Sequence, residues 1–378
     1  MKYMKHIGAG LDTVSLPELQ MELKVGFSPK EMIFTPNVVD FDEIRQAVDI
    51  GVPVNIENLQ NLEAFAREYK DTYPVCIRLN PNMMSEIENG TATGLTRPET
   101  DCPDIEFASV NKEHYDQVSD EQVSAWHTQS KFGISLTQFD RVRELVDKYS
   151  LRVNGIHLHS SHVILNTDVF GKGVKTVFDI ARQFDHIEYV DFGGGIMVSH
   201  QEGDEVVDLP QLGAILKKEY DAYCSELGRN IQIWFEPGRY LVSDAGILLT
   251  EAVVVKTNGI IEFAGTNTGF NHLLRPMMYD AYHEIVNISN PDGPMRTYNV
   301  VGNLCEIDNL AVNRKLNEIR PGDILMIKNA GAYGFSMSSV YNSRPRPAEV
   351  LVINGKARQI RKRETVEDMI RTQIEIDF

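Results

Sequence analysis

Up to about residue 240 the chain alternates short β-branched or apolar runs with segments of helical period. Runs 11–15, 32–35, 52–56, 75–80, 154–159, 189–192 and 232–236 read as strands. Between them 16–25, 40–50, 58–69, 137–149, 168–184 and 209–227 read as helices, with Asp40 and Asn58 as N-caps. Strict βα alternation implies a parallel sheet, wound open or closed into a barrel. A closed barrel of this type has eight strands, and seven are counted here. The chain opens on what reads as the last turns of a helix, Met1 to Ile7, ended by Gly8. A first βα unit is therefore expected to be absent from the sequence.

After Ser243 the period changes. Segments 246–256, 260–264, 297–301, 324–329 and 348–354 read as strands separated by Gly, Asn and Pro turns, with a helical tail at 364–372. Two domains are expected: an α/β barrel over 1–243 and a β domain over 244–378. Residues 81–130 break the alternation with an irregular, acid-rich stretch. This insertion, 83–129, enters at a strand's carboxyl end and reads as a lid or a surface excursion.

Composition narrows the field. Of the 378 residues 42% are hydrophobic and 24% charged, as in folded soluble proteins. A net charge of −17 argues against nucleic acid, whose phosphates it would repel. No apolar run approaches the roughly 18 residues of a membrane span, and the N-terminus has no secretory h-region. The four cysteines, Cys76, Cys102, Cys224 and Cys305, show no metal-ligand spacing and suggest free thiols in a reducing cytoplasm. His157, His159 and His162 lie close together, but no acid or thiol stands at a fixed offset from them, and no metal is expected.

Three strand ends carry candidate chemistry. The apolar run 231–235 stops at Glu236-Pro237-Gly238-Arg239: an acid held by the sheet, a turn, and a base able to reach an anion. A surface ion pair beside a tight turn is the alternative. Asp191-Phe192-Gly193-Gly194-Gly195 is either a phosphate cradle of backbone amides or a plain turn. On the run 155–162, His157 and His159 share a face. They read as an imidazole stacked on a planar ring or as a hydrogen-bonded pair inside the barrel. Taken together, an acid below a ring, glycines around a phosphate and an imidazole on a flat face describe a pocket for pyridoxal 5'-phosphate.

Longer motifs make the pattern specific: Gly8-Ala9-Gly10-Leu11-Asp12-Thr13-Val14-Ser15, Ser130-Lys131-Phe132-Gly133, and Asn271-His272-Leu273-Leu274-Arg275-Pro276-Met277-Met278-Tyr279 running on to His283. Cys305-Glu306, Ala330-Gly331-Ala332-Tyr333-Gly334-Phe335-Ser336-Met337 and Tyr341-Asn342-Ser343-Arg344-Pro345-Arg346-Pro347 follow. With these the chain resembles diaminopimelate decarboxylases, within the alanine-racemase-like (fold type III) pyridoxal-phosphate decarboxylases. The resemblance runs from Gly8 to the C-terminus. It implies a barrel followed by a β domain, conversion of meso-2,6-diaminopimelate to L-lysine and carbon dioxide, and a homodimer with shared sites.

By the same resemblance Glu236 pairs with the pyridine nitrogen and His159 stacks on the ring. Gly194, Gly195, Gly238 and Arg239 hold the phosphate region, with Tyr333 nearby. Arg239, Arg275 and Tyr279 receive the carboxylate at the far end of the substrate. Glu306 holds the distal ammonium and Cys305 protonates the carbon that has lost carbon dioxide, both from the other subunit. Read alone, Cys305 is a buried thiol and Arg275 a surface arginine.

The match departs from the family in three places. The family's Schiff-base lysine stands upstream of the position of Gly8, and neither Lys2 nor Lys5 aligns with it. Ser161-His162 replaces Gly-Ser, and Asn303 and Ile307-Asp308-Asn309 differ from the usual surroundings of Cys-Glu. A longer active decarboxylase and an inactive paralogue both accommodate the missing lysine. A related decarboxylase of another amino acid is the remaining alternative.

Overall fold

The computed structural model describes residues 1–80, 131–158, 167–201, 203–204 and 206–376. The described chain forms two compact units: residues up to 197 with 206–237, and residues 198–204 with the chain from Gly238 onward. His159, Ser161, His162 and the insertion 83–129 lie outside the described residues.

Local sequence sets the elements of the first unit. The helix Leu16–Val25 starts where Ser15 accepts the Glu18 N–H and stops at Gly26, which is left-handed. Asp40 caps Phe41–Ile50, Asn58 caps Leu59–Tyr69 and Asp208 caps Leu209–Leu227 in the same way. Between helices run short strands: β1 Leu11–Thr13, β2 Met32–Phe34, β3 Asn55–Ile56, β4 Val75–Asn80, β5 Ile134–Ser135, β6 Val153–Leu158, β7 Tyr189–Asp191 and β8 Gln232–Trp234.

Every pairing among them is parallel. β1 pairs with β2, and a bridge from Phe34 to Val54 carries the ladder to β3. From there the order is β3-β4-β6-β7-β8, with β5 paired to β4 off this path. Strictly sequential order is the wall of a barrel, because an open doubly wound sheet reverses at a switch point. The helices bury their apolar faces against the outside of this wall, where Phe34, Ile56, Ile77, Ile156 and Val190 meet Leu62, Val142, Val174 and Phe178 in one core.

Inside the wall the side chains lie in layers. Ile33, Cys76, Tyr189 and Trp234 form an apolar floor. Tyr189 and Trp234 stack at 4.0 Å between centroids, 14° from parallel. Gly155 makes room for them: a Cβ there would lie 2.4 Å from the Tyr189 ring. One step nearer the carboxyl ends, the register aligns Arg78 with His157 and His157 with Asp191. A polar layer thus rests on an apolar one.

The second unit is built on an antiparallel-rich sheet of β9 Leu248–Asn258, β10 Ile261–Thr266, β11 Ile285–Asn287, β12 Met295–Val301, β13 Asn309–Asn317 and β14 Ile324–Ile327, in the order β11-β14-β9-β10-β12-β13. Its core gathers Ala252, Leu273, Tyr298, Val300, Leu310 and Leu325. The hairpin β15 Glu349–Ile353 and β16 Lys356–Arg361 follows, then a helix Val366–Ile370 with a capping box from Thr365. The architecture is an α/β barrel unit followed by a β unit.

Candidate active site

The polar layer of the barrel holds a concentrated set of charges. His157 on β6 is fully buried, and the Asn55 amide N–H from β3 donates to its Nδ1. Its Nε2 lies 3.5 Å from Glu236 Oε2. Asp191, at the end of β7, is 1% exposed and accepts the Gly193 N–H at 2.8 Å. Ligating atoms of His157, Asp191 and Glu236 all fall within 4.8 Å of one another. One imidazole and two carboxylates at that spacing suit a cation, metallic or organic.

Backbone pairing explains why Glu236 arrives there. β8 ends at Trp234, but the Phe192 N–H still donates to the Trp234 carbonyl and the Glu236 N–H to the Gly193 carbonyl. The acid and the glycine run 193–195 are therefore neighbours. Gly193 and Gly195 take φ of 64° and 93°, a left-handed backbone that suits residues without a Cβ.

Electrostatics follow from crowding. Burial, only partly offset by His157, together with the charge of Glu236 lifts the Asp191 carboxyl to about 7. Asp191 and Glu236 also share a hydrogen bond, which requires a proton on one of them. On β1, the surrounding atoms and then the Glu236 charge raise Asp12 to about 7, although Asp12 is itself exposed to solvent, which weakens the effect. Burial pulls His157 down, yet Glu236 and Asp191 outweigh it and the net shift is upward.

Arg78 on β4 is the fixed cation of this layer, and burial lowers its pKa. It faces Glu57 at 3.6 Å and lies over the Phe132 ring at 4.8 Å. Glu57 in turn accepts the Val38 N–H at 3.0 Å and the Gly133 N–H at 3.4 Å. The segment 131–133 thus braces Arg78 from above.

The sequence alone did not single out Arg78 or Asn55, offered Asp12 only within the motif Gly8–Ser15, and gave His157 only as one of a histidine pair. A charged residue inside the otherwise apolar, fully buried run of β4 was the available signal for Arg78. His157 is a hydrogen-bonded imidazole inside the barrel, one half of the histidine pair that the sequence left as an alternative. Lys5 is turned to the Gly26 carbonyl and to Glu31.

In the second unit, Gly238 and Arg239 open a short helix, Gly238–Val242. Tyr333 takes φ of 62° and its ring lies 5.5 Å from the Arg239 guanidinium. Gly331 makes that approach possible, because a Cβ there would fall 1.9 Å from the Val242 carbonyl oxygen. Arg275 and Tyr279 begin and end a one-turn helix, with the guanidinium 5.7 Å from the Tyr279 ring. Arg275 is buried, at 4% exposure, and its Nη1 has no hydrogen-bond partner among the described residues. Burial and then Arg239 hold its pKa below the usual arginine value. His200 faces both arginines and meets His283 edge to face at 5.8 Å.

Cys305 and Glu306 lie on an exposed loop. The fully buried thiol that the cysteine alone would suggest is not what forms. Asp308 shapes the loop by accepting the Phe270 N–H at 2.6 Å and the Leu304 N–H at 3.3 Å.

Comparison with known proteins agrees with this geometry. Residues 1–98 match the family profile described as pyridoxal-dependent decarboxylase, pyridoxal binding domain. Residues 115–331 match pyridoxal-dependent decarboxylase, C-terminal sheet domain. The chain is 35% identical over 382 residues to a diaminopimelate decarboxylase of Methanothermobacter thermautotrophicus, covering 99% of this chain and 81% of that one. A crystal structure of a diaminopimelate decarboxylase superposes with a TM-score of 0.81 at 28% identity, covering 98% of this chain and 84% of the other. The Helicobacter pylori enzyme in complex with L-lysine gives 0.78 at 28% identity, covering 98% and 85%. The buried acid, the glycine loop beside it and these matches along both units agree: the chain belongs to the pyridoxal-dependent decarboxylases.

Proposed function

We propose that this protein decarboxylates meso-2,6-diaminopimelate to L-lysine and carbon dioxide, using pyridoxal 5'-phosphate. Arg275 carries the choice of substrate. A guanidinium buried to 4% exposure, whose Nη1 has no hydrogen-bond partner among the described residues, is costly unless an anion completes it. A dicarboxylic amino acid brings that anion; lysine or ornithine does not.

The cofactor fits the first unit on charge. Asp12, Asp191 and Glu236 exceed the countercharge of His157 and Arg78, and a protonated pyridine nitrogen supplies the missing cation. Glu236 would hold that nitrogen, Gly194 and Gly195 the phosphate, and His159 the ring face. From the second unit Gly238, Arg239 and Tyr333 would serve the phosphate region, and Arg239, Arg275 and Tyr279 the distal carboxylate. Bound pyridoxal phosphate supplies the electron sink for the pair left behind as carbon dioxide departs. Glu306 holds the distal ammonium, and Cys305 delivers a proton to the carbon that lost its carboxylate.

Both Cys305 and Glu306 are exposed, and Ile307 beside them is 74% exposed. These features support handing the loop to a second copy of the chain, in a homodimer with shared sites. The free thiols Cys76, Cys224 and Cys305 support a reducing cytoplasmic setting.

Carbon dioxide release from diaminopimelate, L-lysine and L-ornithine, by the full-length protein supplied with cofactor, tests the reading. Diaminopimelate is expected to be preferred by at least about a hundredfold in kcat/KM. Equal turnover of lysine or ornithine would remove it.

A further inference from the structure

Two residues beside the Cys305 loop have no role in the reaction as described so far. Asn342 adopts a left-handed backbone, φ 55° and ψ 26°, within the turn Tyr341–Ser343. Its Oδ1 accepts the Cys305 backbone N–H at 3.0 Å, and its Nδ2 donates to Cys305 Sγ at 3.1 Å. One amide therefore grips the cysteine by main chain and by sulfur. The Tyr341 hydroxyl lies 3.6 Å from Sγ and 3.1 Å from Glu306 Oε1. Its ring stacks on Phe270 with centroids 5.7 Å apart, so the hydroxyl is held in place while its proton is free to turn.

A phenol has one proton to donate, and here two acceptors share it. While the cysteine is a thiol, the better acceptor is the Glu306 carboxylate. Once the sulfur is negative, it competes for the same proton, and the Asn342 N–H already points at it.

We propose that Tyr341 and Asn342 are positioning residues that aim the Cys305 thiol and take up the charge left on its sulfur when it gives its proton away. The S–H bond breaks, and its proton joins the substrate carbon that released carbon dioxide, using the electron pair on that carbon. The sulfur keeps its own pair as a thiolate, receiving N–H from Asn342 and O–H from Tyr341. It takes its next proton from water before the following turnover. The proposal rests on the reading of Cys305 as proton donor.

The local electrostatics support it. Hydrogen bonds from Tyr341, then Asn342, hold the thiol below the usual cysteine range. The same contacts to Cys305 and Glu306 raise the phenol to about 12, so it remains a donor at working pH.

The test is peptide-resolved alkylation of Cys305 by iodoacetamide across pH, on the full-length holoenzyme. Tyr341→Phe keeps the ring on Phe270, and Asn342→Gly keeps the left-handed backbone. Each is expected to move the alkylation midpoint of Cys305 up by about one pH unit. Each should also lower kcat about tenfold while changing KM less than about twofold. A midpoint unmoved in either variant that retains native circular dichroism overturns the proposal. Cys305→Ser with undiminished turnover would sink the donor assignment beneath it, and the alkylation shift is read without turnover, so the two failures are distinguishable.

Discussion

Asp12, Asp191 and Glu236 bring more acidic groups to this end of the barrel wall than His157 and Arg78 offset, and the protein stores that imbalance as a pH dependence. An aspartate in the unfolded chain titrates near 4. In the folded chain Asp12 and Asp191 titrate at about 7. Between those values the folded state binds more protons than the unfolded one. The stability these groups contribute is therefore complete below about pH 4 and is lost as pH rises through 7. Asp12→Asn removes one of them without removing bulk. Its unfolding midpoint, measured without cofactor, is expected to match wild type near pH 4 and to exceed it at pH 8, by roughly 1–2 kcal/mol once solvent contact is allowed for. An equal difference at both pH values would contradict this. Subtracting wild type also cancels the opposite slope from His283, which burial, then Arg275, pushes down to about 4. Strain of this kind is expected at a site shaped to receive a cation.

At the scale of elements, the charged residues of the candidate site lie where a strand ends or a helix begins. Glu236 follows β8, Asp191 ends β7, and Arg239 and Arg275 open short helices. The turn 330–334 is the tightest of these joints. Gly331 donates its N–H to the Ser243 carbonyl at 3.0 Å and packs against the end of Gly238–Val242. Gly331→Ala should push the two segments apart, costing about 1–3 kcal/mol of stability. On the proposed roles of Arg239 and Tyr333 it should also weaken pyridoxal phosphate binding, because the two lose register. Thermal unfolding and cofactor titration read the two effects, and unchanged values for both would refute the steric account.

Much of this was visible in the sequence. Apolar runs bounded by caps located the wall strands and their helices, because each element's local chemistry agrees with its place in the fold. The strands at 134–135 and 285–287 were missed for being too short to carry a period, and β13 and β16 for the polar Asn313-Arg314-Lys315 and Arg358-Gln359 in their middles. At the candidate site, the sequence singled out residues that sit within motifs, whereas Arg78 and Asn55 escaped it. Their roles arise from inter-strand register, which brings Asn55 and His157 together across 102 positions. A linear pattern does not show that. Arg275, which alone reads as a surface arginine, is buried by the folding of its one-turn helix.

For the whole molecule, charge and exposed surface point to the same kind of partner. The net charge of −17 disfavours polyanions, and among the described residues no helix is long and apolar enough to cross a membrane. Exposed Leu249 and Val253 on β9, and Val350, Val352 and Ile360 on the hairpin, offer apolar surface to another protein chain. Sedimentation equilibrium is expected to return the mass of two chains at micromolar concentration. A monomer there would remove the shared-site assignment for Cys305 and Glu306.

The order of strands carries a consequence for how the polypeptide acquires its shape. In the first unit each wall strand lies beside the one made just before it, apart from the side strand β5. That wall can assemble step by step while synthesis continues, at little entropic cost per added segment. In the second unit β9 must wait for β14, so its sheet closes only after most of the polypeptide has left the ribosome. The late partner is the half that bears Arg275 and Cys305, so the contacts proposed for the substrate mature after the barrel wall is already standing.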